Sequence, residues 1–130
     1  ADMTRRIVRA MSNPYVTMLG HATGRILLAR PGYAVDMREV LKAAAATGTV
    51  MEINASPYRL DLDWRWCREA KDKGVLFAVN PDAHAVDELD HVSYGVGAAR
   101  KGWLEAGDII NTLGAADIRA VLGRKRAKGS

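Results

Sequence analysis

Two short stretches carry the residue types best suited to chemistry: Gly20-His21 and Asp82-Ala83-His84. An apolar run ends at each, 15–19 before the first and 75–80 before the second. Runs of that length read as buried strands. In parallel α/β folds the C-terminal ends of the strands are where sites are built. Residues i and i+2 of an extended segment point the same way, so Asp82 and His84 can present a carboxylate oxygen and an imidazole nitrogen to one cation. With His21 the set becomes two imidazoles and a carboxylate. That donor set suits Zn²⁺, Mn²⁺ or Fe²⁺ and leaves a coordination position open for water. Taken singly, each residue has a plainer reading: His21 as a hydrogen-bonded loop residue, and Asp82 as a helix cap or turn residue.

Several neighbours extend the pattern. Arg25 and Arg59 follow strand ends, and each can either clamp a phosphate through its planar fork or form a surface ion pair. Tyr58 can stack on a base or cover the rim. Asn54 and Asn80 end strands and can orient the adjoining loops. Glu52 alternates with Met51 and Ile53, so it faces either a barrel interior or solvent. Asp61 and Asp63 read as helix caps, and His91 reads as a structural residue in a helix.

The elements that must position these residues alternate strand with helix. The pattern predicts a short helix over 5–12 stopped by Asn13-Pro14, a strand over 15–20, and a loop over 21–35. Asp36 caps a helix through Ala46, and Gly48 sits where a C-cap glycine belongs. A strand over 49–55 leads through Ser56-Pro57-Tyr58-Arg59 to a helix ending at Lys73. The strand over 75–80 follows, then two or three short helices, the last over 114–125. Alternation of this kind implies a parallel sheet with right-handed crossovers, which gathers the polar strand ends on one rim.

With 130 residues, 48% apolar and 26% charged, the chain suits one globular domain with a real core. No apolar run is long enough to span a bilayer and no N-terminal stretch reads as a signal peptide. The single cysteine, Cys67, excludes an internal disulfide, fits a cytoplasmic setting and reads as a buried, inert thiol. Arg124, Lys125, Arg126 and Lys128 account for the formal net charge of +4, so the rest of the chain sums to about zero. The stretch 124–130 reads as a flexible, solvated basic tail, with a second use against a phosphate backbone.

Four stretches in order resemble the PHP (polymerase and histidinol phosphatase) family, most of all the PHP module of bacterial and archaeal family X DNA polymerases. They are the run from Leu19-Gly20-His21 through Arg25 to Leu28, the run from Glu52-Ile53-Asn54 through Tyr58-Arg59 to Leu62, Asn80-Pro81-Asp82-Ala83-His84, and Tyr94 to Trp103. The resemblance implies a distorted β/α barrel with a divalent metal cluster (Zn, Mn or Fe) at one rim. It implies phosphoester hydrolysis, typically 3′–5′ exonuclease or DNA end-processing in repair, with DNA as the partner. By that resemblance His21, Asp82 and His84 are metal ligands, while Arg25, Tyr58 and Arg59 stand near the substrate.

The family's opening His-x-His motif and its middle histidine and glutamate ligands have no match here, and a β/α barrel usually needs about 200 residues or more. Residues 1–130 are therefore expected to be the C-terminal half of the barrel, a single partial domain. Such a piece is expected to leave its metal cluster incomplete and to be inactive by itself. It is also expected to expose two sheet edges and to self-associate through them. The contrasting class is a non-catalytic α/β module that contacts DNA or a partner through its rim and basic tail.

Overall fold

The computed structural model describes residues 2–128, with side chains through Lys125. Helix α1 (Asp2–Met11) leads into strand β1 (Met18–Leu19), then helix α2 (Met37–Thr47) and strand β2 (Val50–Asn54). Helix α3 (Trp64–Asp72), strand β3 (Phe77–Asn80), helix α4 (Val92–Lys101) and helix α5 (Ala115–Lys128) complete the order, with 3-10 turns at Asp87–His91, Ala106–Asp108 and Ile110–Thr112. The strands form a parallel sheet in the order β1-β2-β3, with Met18 opposite Val50 and Met51 opposite Phe77. The sheet is open among the described residues. The chain is thus a parallel strand–helix module, as the alternation predicts, and its open sheet agrees with the partial β/α barrel that the resemblance implies.

Local chemistry explains the boundaries. The Asp36 side chain accepts from the Glu39 N–H at 3.2 Å, and Gly48 closes α2 at φ 71°, a left-handed conformation glycine takes at little cost. Asp63 caps α3 by accepting from the Arg65 N–H at 3.0 Å. Strand β1 is shorter than expected because the Asn13 side chain accepts from the Tyr15 N–H at 2.9 Å and its carbonyl from the Val16 N–H at 3.1 Å. That turn takes up the residues preceding Met18, so pairing with β2 starts only there.

The two faces of the sheet have different covers. Met51, Ile53, Phe77 and Val79 pack with Leu41 of α2 and Cys67 of α3 in the main core. Val50 and Ala78, on the opposite face, pack with Ile110 and with Val121 of α5. Helix α4 crosses close to the sheet at Gly95, where a Cβ would stand 2.5 Å from Val79 Cγ1 and 2.6 Å from Ala55 Cβ.

Two features differ from expectation. The β3 edge is not bare: the Asn111 side chain accepts from the Val79 N–H at 2.8 Å and donates to its carbonyl at 2.9 Å. A carboxamide carries the same donor and acceptor as a peptide, so it substitutes for a neighbouring strand. Lys125 is not in a solvated tail: it is buried in α5, and its Nζ donates to Met11 O, Val16 O and Thr49 Oγ1 at 2.5, 2.5 and 2.8 Å. The helix continues through Lys128, and residues 129–130 lie outside the described residues. Among the described residues no helix is long and apolar enough to cross a membrane.

Candidate metal and phosphate site at the strand rim

Parallel pairing brings the C-terminal ends of β1, β2 and β3 to one rim, where His21, Asn54 and Asp82 follow. Past β3 the chain turns sharply, with Asp82 at φ 55°. Asp82 Oδ2 accepts from Asn54 Nδ2 at 3.1 Å and pairs with Arg59 Nε at 3.3 Å. His84 lies two residues on, its Nδ1 2.7 Å from the Asp82 carbonyl oxygen. A carbonyl only accepts, so Nδ1 carries a proton, and in the neutral ring Nε2 is left with its lone pair. The His84 N–H donates to Glu88 Oε2 at 2.6 Å.

Asp82, His84, Arg59, Tyr58, Glu88 and His91 share the lining of a cavity of about 290 Å³. His84 is 79% exposed at the side chain and Tyr58 is 67% exposed, so both are open to a ligand entering from solvent. His21 is exposed as well but stands outside that lining.

The two arginines differ in availability. Arg25 commits Nε to Arg59 O and Nη1 to Asp63 Oδ2, both at 2.9 Å, and Nη2 to Leu60 O. Arg59 donates from Nη1 to Arg25 O at 3.3 Å and turns Nε toward Asp82. Arg25 therefore braces two loops against each other, while Arg59 faces the cavity. Asp63 closes this brace. Its carboxyl lies well below the ordinary carboxylate range because the Arg65 side chain bonds it, with help from Arg25 and against the opposing effect of burial.

Two residues have roles their sequence context does not show. Asp61, expected as a cap, is fully buried; its Oδ2 accepts from Thr23 N–H, Thr23 Oγ1 and Gly24 N–H at 2.9, 2.8 and 3.1 Å. It anchors the loop that follows His21. Its signal is the Leu60-Asp61-Leu62 alternation of a segment bridged to β2 at Asn54. Glu52 is half-buried and takes specific partners: it accepts from the His21 N–H at 2.7 Å and from Asn80 Nδ2 at 2.9 Å. Cys67 is buried as expected, and burial pushes its thiol up to about 12, with the Asp63 charge adding to the effect.

The donors at the rim fit a divalent cation in chemical type: a carboxylate of Asp82 and imidazole nitrogens of His84 and His21. Among the described residues, however, no three His, Cys, Asp or Glu side chains converge as a cage. Asp82 and His84 line one cavity, and His21 stands outside its lining.

The structure is an open parallel β/α module that presents Asp82, His84 and Arg59 on one cavity at its C-terminal rim. No family model matches the chain. It is 38% identical over 120 residues to the DNA polymerase/3′-5′ exonuclease PolX of Bacillus subtilis, a match covering 92% of this chain and 21% of that protein. It is 28% identical over 115 residues to a probable phosphatase of a Thermoanaerobacter species, covering 84% of this chain and 44% of the relative. A probable phosphatase of Caldanaerobacter subterraneus is 34% identical over 87 residues, covering 62% of this chain and 32% of the relative. These relatives bear out the resemblance to the PHP family, and the chain spans about a fifth of the polymerase and less than half of these phosphatases.

Proposed function

We propose that this chain forms part of the hydrolytic site of a PHP-type phosphoesterase acting on DNA 3′ ends, as in the exonuclease named for its PolX relative. The observation that carries the reading is the Asp82–His84 pair set beside Arg59 on one cavity at the C-terminal rim of a parallel sheet. Asp82, His84 and His21 would hold a divalent cation, with the ligand set completed by groups outside residues 1–130. Bound there, the cation supplies Lewis-acid charge for phosphoester hydrolysis.

The chain's own side chains prepare the rest. Arg59, anchored by Asp82 and by the Arg25 carbonyl, turns a cation toward an incoming phosphate. Tyr58 offers an exposed aromatic face to a terminal base. Arg25 and Asp63 hold the loop that presents both. The contrasting reading, a module that binds DNA through its basic tail, loses Lys125, whose ammonium is buried against Met11, Val16 and Thr49.

The test is elemental analysis of protein purified without added metal or chelator, paired with binding of a fluorescent single-stranded oligonucleotide. Bound zinc, manganese or iron that is lost in His84→Ala, with DNA affinity reduced in Arg59→Ala, supports the reading. A metal-free chain whose DNA binding is indifferent to Arg59 overturns it.

A further inference from the structure

We infer that Glu52, held by Asn80 and Asn54, is a positioning residue that sets the backbone of His21 and the carboxylate of Asp82 in a common frame. The inference rests on the metal-site reading above and deepens it. His21 and Asp82 lie on loops 61 residues apart in sequence, after different strands, and they have no direct bond to each other. What lies between them is a polar lattice on β2 and β3. Glu52 Oε2 accepts from the His21 N–H at 2.7 Å, and Glu52 Oε1 accepts from Asn80 Nδ2 at 2.9 Å. Asn54 Nδ2 donates to Asp82 Oδ2 at 3.1 Å and reaches Glu52 Oε2 at 3.4 Å. Asn54 is itself fixed, since its Oδ1 accepts from the Ser56 N–H at 3.1 Å and its side chain is buried.

The strand register puts these groups side by side. Glu52 pairs with Ala78 and Asn54 with Asn80 across the β2–β3 ladder. Residues two apart on a strand share a face, so Glu52, Asn54 and Asn80 lie on one side of the sheet near its rim. A glutamate in that position has a specific use. His21 sits at φ 27°, off the regular strand path, and the carboxylate captures its N–H there. Gly20 gives the carboxylate room: a Cβ there would stand 3.2 Å from Glu52 Oε2. Partners that orient metal ligands typically change metal affinity by about 10–100-fold when removed.

The experiment measures Mn²⁺ affinity by the loss of the free-ion electron paramagnetic resonance signal, with circular dichroism and thermal melting in parallel. Glu52→Gln turns the Oε2 acceptor into a donor or leaves Asn80 unmatched, and Asn80→Ala releases Glu52 with no change of charge. Both variants are expected to weaken Mn²⁺ binding about 10–100-fold while melting behaviour stays near that of the parent chain. His84→Ala serves as the reference for loss of a ligand. Unchanged affinity in Glu52→Gln and Asn80→Ala, beside a loss in His84→Ala, overturns the positioning role and leaves the metal reading standing. No Mn²⁺ binding by the parent chain overturns both. If Glu52→Gln fails to fold, Asn80→Ala alone decides between these outcomes.

Discussion

Replacing Lys125 by methionine tests whether the burial of an ammonium group holds α5 to the rest of the fold. The Nζ has spent its three donors on Met11 O, Val16 O and Thr49 Oγ1. These acceptors come from the end of α1, the turn before β1 and the start of β2, so one side chain ties four segments together. Methionine keeps most of the apolar stem and leaves the Met11 and Val16 carbonyls without that donor, while Thr49 Oγ1 keeps its bond to Thr47 Oγ1 at 2.7 Å. A buried acceptor stripped of its partner costs roughly 1–3 kcal/mol. Against that, the variant recovers the desolvation cost of the ammonium, several kcal/mol in order of magnitude. Burial also holds the Lys125 amine below its ordinary value, which shows the same cost at work. The hydrogen bonds outweigh it, and the expected net loss is about 2–3 kcal/mol. For a domain of this size that lowers Tm by roughly 6–15 °C. Differential scanning calorimetry measures it, with the exposed neighbour Arg124→Met as the control, expected within about 0.5 kcal/mol. A Lys125→Met chain as stable as the parent, or more so, refutes the argument: desolvation would then exceed the bonds.

Two further predictions concern the scaffold. Asp63→Asn removes the charge that Arg65 and Arg25 bond, and should cost about 1–2 kcal/mol at pH 7. Because the folded-state pKa of Asp63 lies below its ordinary 3.8, this stabilisation is complete above that value and lost as pH falls below it, so denaturant melts of the two chains should converge in acid. Gly95→Ala drives a methyl against Val79 and Ala55, and should cost roughly 1–3 kcal/mol, read as a lower midpoint in urea. An unchanged midpoint would mean that α4 shifts off the sheet without penalty.

That Asp82 and His84 follow a strand ending was legible from consecutive residues, but the chain there is a turn with Asp82 at φ 55° and not the extended segment expected, so it is the turn that sets both on one cavity. The parallel sheet was legible for the same reason: strand-like runs, capped helices and glycine stops are written in short windows, and parallel connection then follows from chain geometry. The caps at Asp36, Gly48 and Asp63 belong to that class. What the windows did not contain was the choice of partner across the chain. Whether Arg25 met a phosphate or Leu60, Arg59 and Asp63 depended on how two distant loops cross. Whether Glu52 met water or His21 depended on the β1–β2 register, and Asp61 became an anchor because β2 draws its segment beside Thr23. Lys125 looked like one charge in a basic run until α5 packed its base against α1 and β2. Composition and period determined the elements and their order, because those signals are local. The tertiary structure decided which polar atoms face each other, because buried hydrogen-bond partners are assigned by packing between segments far apart in sequence.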